Sequence, residues 1–161
     1  MTSLAFASFV RDAERNIADP HAIAARLERL LAHDGWLAPE HQVGSPDSYR
    51  QHLLHVSKCR RLSVVALVWL PGQRTPIHDH VSWCVVGVYR GVERETHYRL
   101  TARDDLVPVS VFEAQAGHVE ALVPPAGNIR VEAIGDEKTS PSTSTAPTSS
   151  ASDRFDDRLA A

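Results

Sequence analysis

Residues 72–91 read GQRTPIHDHVSWCVVGVYRG, and this run decides the fold that the rest of the chain is expected to adopt. His78 and His80 are separated by one residue, and side chains alternate along a strand, so both imidazoles should project from one face. Two neutral imidazoles side by side can chelate one divalent metal ion. Gly72 and Gly91 permit tight turns at the two ends of a hairpin. The run predicts a metal site on His78 and His80; the alternative is a pair of partly exposed loop histidines.

Around this run the sequence breaks into short apolar or alternating segments. Signals for turns separate them roughly every eight to twelve residues, which is typical of an all-β sandwich or barrel. We predict strands at residues 53–56, 62–70, 85–89, 93–100, 107–112, 119–123 and 129–134.

Two amphipathic helices are predicted before the first strand. Apolar residues recur at helical spacing over residues 3–18, with charged residues between them. Asp19 and Pro20 break that pattern, and Pro20 suits the first turn of a second helix that ends near Gly35. The residues that this second helix should bury are Ile23, Leu27, Leu30 and Leu31.

The end of the sequence differs in composition. Residues 139–152 contain only Ser, Thr, Pro and Ala. Such a segment has nothing to bury, and we expect it to be disordered. The chain is therefore divided into a helical segment (1–48), a β-barrel (49–138) and a disordered tail (139–161).

Composition excludes several classes of function. The net charge of the 161 residues is -3, which gives no basic field for a nucleic acid. Two cysteines make no disulfide framework, and this favours a reducing compartment. The N-terminal residues lack the basic start and apolar run of a signal peptide, and the longest apolar stretch, residues 64–70, is too short to span a bilayer. We expect a cytoplasmic protein that contacts neither nucleic acid nor membrane.

The glycine frame and His-x-His of residues 72–91 resemble the first cupin motif, with Cys84 where cupins usually have glutamate. A cupin without that glutamate looks like the thiol dioxygenases, the family of cysteine dioxygenase and 3-mercaptopropionate dioxygenase. Residues 49–54 (YRQHLL) and 69–88 are similar to bacterial cysteine dioxygenase-type proteins. The resemblance covers residues 3–138.

This resemblance implies a mainly β fold, a cupin double-stranded β-helix preceded by two helices. It implies non-haem Fe(II) held by histidines, of which His78 and His80 are two, and oxidation of a small thiol by O2 to its sulfinic acid. In this family one residue of the upstream strand binds the substrate carboxylate. Gln51 occupies that position, and a glutamine there resembles the bacterial enzymes that prefer 3-mercaptopropionate. The alternative for Gln51 is a surface side chain on an edge strand.

The chain departs from the family where the third histidine is expected. Residues 125–131 read PAGNIRV. Counted from Gly127, Arg130 fills the histidine position; aligned on Arg130-Val131, the histidine is missing between Ile129 and Arg130. An arginine pointing at the site would repel a cation and offers no lone pair. His118 and Glu132 are two substitutes for the missing ligand, Glu132 on the condition that Arg130 faces inward.

The family's last buried strand, with its Ser, His and Tyr, is also missing from the sequence. We therefore expect an unpaired sheet edge and an open core. Without that tyrosine as a crosslinking partner, Cys84 is predicted to be a small core residue. Four further histidines are predicted to be surface residues: His21, His33, His41 and His97.

Two functions follow from these observations. The first is an iron-dependent thiol dioxygenase acting on cysteine or 3-mercaptopropionate, with activity that the missing third histidine should weaken or abolish. The second is a non-catalytic cupin that binds a small molecule or a protein partner. A different metal cupin, such as an isomerase, is disfavoured because Cys84 replaces the glutamate.

Overall fold

The computed structural model describes residues 3–125, 127–134 and 140–146. It begins with the two expected helices. Helix α1 (Leu4–Arg15) is capped by Ser3, whose hydroxyl accepts a hydrogen bond from the Phe6 N–H. Helix α2 (Pro20–Leu31) is capped by the Asp19 carboxylate and has proline in its first turn. The four apolar residues predicted for its inner face are all buried. No helix in the described residues is long and apolar enough to cross a membrane.

A short 3₁₀ helix (Pro39–Gln42) connects the helices to eight strands that pair in two antiparallel sheets. The five-stranded sheet has the order β1-β2-β8-β3-β6, and the three-stranded sheet has the order β5-β4-β7. The strands are β1 (Arg50–Val56), β2 (Ser63–Trp69), β3 (Cys84–Val88), β4 (Val92–Leu100), β5 (Leu106–Gln115), β6 (Val119–Leu122), β7 (Asn128–Ile134) and β8 (Ser140–Ala146).

Strands β2 and β3 are apolar on both faces, because each face is covered. Val64, Ala66 and Val85 pack in one cluster with the buried residues of the two helices. Cys84, in the alternate register, packs with Leu122 and with residues of β7 in the second sheet. The side of the sheet opposite the helices is therefore the interior of the barrel, as expected for strands with near-continuous apolar sequences.

Strand β8 fills the slot between β2 and β3 and pairs with both strands. The register places Ser142 opposite Leu67 and Val88. The prediction of disorder is thus wrong for residues 140–146, and so is the prediction that the sheet lacks its last strand. Backbone N–H and C=O groups of the flanking strands need partners whatever side chains the added strand carries. The remainder of the predicted tail, residue 139 and residues 147–161, lies outside the described residues.

The segment before β3 extends the three-stranded sheet. Arg74 and His78 each form an isolated antiparallel bridge to β7, with Glu132 and Ile129 as their partners. Hydrogen bonds from Gly72 N–H to Ala133 O and from Thr75 N–H to Val131 O continue the pairing. The segment that carries the histidine motif is therefore fixed to β7.

Gly87 allows helix α2 to pack closely against the five-stranded sheet. A Cβ at this position would lie 2.8 Å from Leu31 Cδ1 and 2.9 Å from Leu27 Cδ2. We expect Gly87→Ala to lower the free energy of unfolding by about 1–3 kcal/mol, because overpacking displaces the helix. Urea denaturation of the purified protein measures the change.

The matched control for this prediction is a double-mutant cycle with Leu31→Ala, which empties the space that the new methyl group would enter. The loss of unfolding free energy in the double variant should be smaller than the sum of the losses in the two single variants. Strictly additive losses would show that the side chains at positions 87 and 31 are not in contact.

Candidate functional site

His78 is held against β7 by two backbone hydrogen bonds. Its N–H donates to Ile129 O (2.9 Å), and the Ile129 N–H donates to His78 O (2.8 Å). Residues paired in this way project from the same face of a sheet. Ile129 is buried in the cluster between the sheets. His78 therefore faces the interior of the barrel.

The imidazoles of His78 and His80 lie side by side, with ring centroids 5.1 Å apart and planes inclined by 69°. Both residues are half-buried. They lie in the irregular connection between β2 and β3 and not on a regular strand, because this connection pairs with β7 only through isolated bridges, at Arg74 and His78. The predicted juxtaposition of the two rings is present even though the predicted strand is not.

The tautomer of His78 follows from its hydrogen bond. His78 Nδ1 lies 3.0 Å from Pro76 O. A carbonyl oxygen only accepts, so Nδ1 carries the hydrogen. In the neutral ring the lone pair then resides on Nε2, and this arrangement is common in histidines that bind metals. His78 is therefore set to offer Nε2 to a cation.

Arg130 and Glu132 lie on the outer face of β7, opposite to Ile129. The Arg130 guanidinium lies over the Tyr98 ring, 5.7 Å from its centroid. Glu132 is the cross-strand partner of Arg94, which in turn pairs with Glu113 at 2.8 Å. The idea that Arg130 turns inward with Glu132 as a ligand is therefore wrong. An inward apolar residue, Ile129, lies beside His78, and Arg130 does not point at this site.

His118 precedes β6, where its ring lies 4.9 Å from that of Phe112. The residue is half-buried, and its Nε2 atom is buried with no hydrogen-bond partner among the described residues. Within the described ranges no group of three His, Cys, Asp or Glu side chains could hold a metal ion. His118 therefore does not complete a metal-binding group with His78 and His80.

Cys84 is 3% exposed and packs with Leu122 and Ile129. This confirms its assignment as a small core residue. Gln51 lies on β1 at the edge of the five-stranded sheet, opposite Leu67, and is exposed. No hydrogen bond joins its side chain to His78 or His80 among the described residues. A role for Gln51 in binding substrate stays a prediction.

The sequence analysis missed a polar cluster on the inner face of the barrel, formed by Glu95 and His97 of β4 and Glu120 of β6. His97 is the cross-strand partner of Ile129, which on its other side pairs with His78. His97 Nε2 lies 2.8 Å from Glu95 Oε1, and the two side chains are 31% and 15% exposed. The assignment of His97 as a surface residue is therefore wrong. The available signal was the alternation of Glu93, Glu95 and His97, which places all three side chains on one face of the strand.

Burial raises the pKa of Glu95 above its ordinary value, and the charge of Glu120 raises it further, while His97 lowers it in part. Glu120 is the cross-strand partner of Val86, which packs in the same interior cluster as Cys84. A carboxylic acid with a raised pKa beside an imidazole is a candidate for proton transfer. This pair lies on the same inner face as His78.

No protein-family model matches the chain. Among solved structures, an uncharacterized conserved protein with a double-stranded β-helix domain from Klebsiella pneumoniae matches with a TM-score of 0.55 and 16% identity, over 74% of this chain and 89% of that chain. A second match is an RmlC-like cupin protein from Desulfovibrio desulfuricans (TM-score 0.47, 19% identity, 71% and 93% of the two chains). A third is oxalate decarboxylase (0.48, 19%, 63% and 26%).

The first of these matches shows the fold. The chain has the cupin architecture, a double-stranded β-helix preceded by two helices, as its sequence predicts. At these identities the likeness extends to the fold alone.

The raised pKa of Glu95 predicts a pH-dependent stability. The folded chain holds this proton more tightly than the unfolded chain, so ionisation of Glu95 opposes folding. The penalty is absent below the ordinary pKa of 4.5 and grows as the pH rises through the raised value. We expect Glu95→Gln to be more stable than the parent chain at about pH 8 and this advantage to vanish toward about pH 4. Urea denaturation across that range measures it.

Glu113→Gln is the matched control, since Glu113 is an exposed glutamate paired with Arg94. Glu113→Gln should change the free energy of unfolding by no more than about 1 kcal/mol. It should not become more stable than the parent chain as the pH rises. A Glu95→Gln effect that is the same at all pH values would contradict the assignment.

Proposed function

We propose that this cupin is an iron-dependent thiol dioxygenase that converts a small thiol, cysteine or 3-mercaptopropionate, and O2 to the corresponding sulfinic acid. The observation that carries the proposal is the pair of adjacent imidazoles, His78 and His80, at the inner face of the barrel. The resemblance of residues 69–88 to the thiol dioxygenases supports the choice of reaction.

The residues present fit Fe(II) in part. The free lone pair on His78 Nε2 and the neighbouring His80 ring supply two nitrogen donors of the kind that Fe(II) accepts. A third protein ligand is missing from the groups that the described residues form. We therefore include weak iron binding and slow turnover in the proposal. Bound Fe(II) would supply the redox chemistry by which both atoms of O2 reach the sulfur.

The Glu95–His97 pair is suited to accept the thiol proton. When Glu95 is ionised, its Oε1, which lies 2.8 Å from His97 Nε2, favours the tautomer with the hydrogen on Nε2, and this leaves Nδ1 as the basic atom of that ring. His97 and His78 are separated by one intervening residue, Ile129, in the row across the sheet. Two strand spacings amount to about 10 Å, so the two histidines lie in one row on the inner face, with the buried Ile129 side chain between them.

The alternative is a non-catalytic cupin that binds a small molecule or a protein partner. The observation that favours it is again the missing third ligand. Metal analysis separates the two functions, since only the first requires iron.

The deciding measurement is iron content together with oxygen uptake in the presence of 3-mercaptopropionate, cysteine and cysteamine. We expect thiol-dependent oxygen uptake, and we expect His78→Ala to lose both iron and uptake, because one of two protein ligands is removed. Loss of a ligand should lower activity by about 10-fold or more.

His21→Ala is the matched control, since His21 is an exposed histidine at the start of α2. It should leave iron content and oxygen uptake unchanged. Purified protein that binds no added Fe(II) and consumes no oxygen with any of the three thiols would favour the non-catalytic cupin.

Gln51 generates a second prediction. If its amide donates a hydrogen bond to the substrate carboxylate, Gln51→Ala should raise KM for 3-mercaptopropionate by about 2- to 12-fold, the loss of one net hydrogen bond. Cysteamine has no carboxylate, and its KM should not change. Equal changes in KM for the two thiols would indicate that Gln51 is a surface residue of the edge strand and does not bind the carboxylate.

A further inference from the structure

A cavity of about 500 Å³ lies between the end of helix α1 and the β1–β2 hairpin, outside the site of His78 and His80. Its wall contains groups of three chemical kinds: a thiol, Cys59; two cations, Lys58 and Arg61; and a carboxylate–imidazole pair, Glu14 and His55. Glu14 Oε1 lies 3.0 Å from His55 Nε2. A nucleophile thus shares one cavity with charges of both signs.

The hydrogen bonds of Ser57 fix the direction of its contact with the thiol. Ser57 is buried, and its Oγ accepts the N–H groups of Arg61 and Leu62, each at 3.0 Å. Both lone pairs of the hydroxyl are then occupied. Cys59 Sγ lies 3.5 Å from the same oxygen. The only role left for Ser57 in this contact is donor, so the sulfur accepts.

An accepting sulfur is favoured as the thiolate. The hydrogen bond from Ser57 lowers the pKa of Cys59, and the backbone N–H of Arg61 and the Arg61 charge lower it further. The charged groups around the thiol are Lys58, Arg60 and Arg61 on the hairpin, His55 on β1 and Glu14 on α1. The thiolate is the nucleophilic form of cysteine. The second cysteine, Cys84, is buried in the barrel and has no such access.

We propose that this cavity is a thiol–disulfide exchange site, in which Cys59 takes up a low-molecular-weight, carboxylate-bearing thiol as a mixed disulfide. The Cys59 thiolate attacks one sulfur of a symmetric disulfide R–S–S–R. The new Cys59–S–S–R bond forms as the old S–S bond breaks, and R–S⁻ leaves and takes a proton from water. Cys59 is oxidised and the leaving half is reduced, so the exchange needs no other oxidant. Lys58 and Arg61 select the carboxylate of R.

The test treats the full-length protein with three symmetric disulfides: dithiodipropionate, cystine and cystamine. Cystamine carries ammonium groups and no carboxylate. Mass spectrometry with peptide mapping should place one adduct on Cys59 and none on Cys84. Dithiodipropionate should react faster than cystamine by roughly threefold or more at low salt, since the cations attract the carboxylate.

Arg61→Gln keeps the backbone N–H and removes the charge, so it should reduce the preference for dithiodipropionate. Cys59→Ser should abolish the adduct. The pH dependence of alkylation by iodoacetamide, a neutral reagent, should give a thiol pKa below that of free cysteine. An adduct on Cys84, a faster reaction with cystamine, or an ordinary thiol pKa would overturn the proposal. None of these results depends on iron.

Discussion

The reciprocal backbone hydrogen bonds between His78 and Ile129 decide the layout of the interior. Each is worth only about 0.5–1.5 kcal/mol net. Their geometric effect is larger, because pairing sets the face from which every residue of β7 projects. With Ile129 inside, Arg130 and Glu132 are outside. A slip of one residue would place the guanidinium beside the imidazoles. The character of the candidate site, two histidines with Ile129 and not Arg130 beside them, depends on this register.

Much of the fold could be predicted from local chemistry. The helical spacing of apolar residues over 3–18 and the break at Asp19-Pro20 predict the two helices, and the apolar runs at 62–70 and 85–89 predict strands β2 and β3. Strand β8 could not be predicted, because it has no apolar periodicity and only its two threonines favour a strand. Its position depends on backbone N–H and C=O groups of β2 and β3 that need hydrogen-bond partners. The composition of residues 140–146 does not reveal this requirement.

The site was predictable to a similar extent. The spacing of His78 and His80 predicts their adjacency, which the structure contains. The orientation of Arg130 depends on register, and a single sequence does not fix register. His97 was missed for another reason. A strand with polar residues on both faces is usually interpreted as solvent-exposed, but β4 forms one wall of a barrel, and its inner residues His97 and Glu95 lie within ion-pair distance of each other. Burial of Glu95 follows from tertiary structure alone.

The position of β8 has a consequence for the order of folding. The strands that it joins, β2 and β3, are followed by about seventy and about fifty residues before β8 begins. Helix α2 and the β1–β2 hairpin close over short distances and can form early, whereas the central strand of the larger sheet arrives last. Closing such long loops costs conformational entropy before any pairing compensates for it. Before β8 pairs, the facing edges of β2 and β3 have unpaired backbone groups. This partly folded barrel lasts until residues 140–146 pair with both strands.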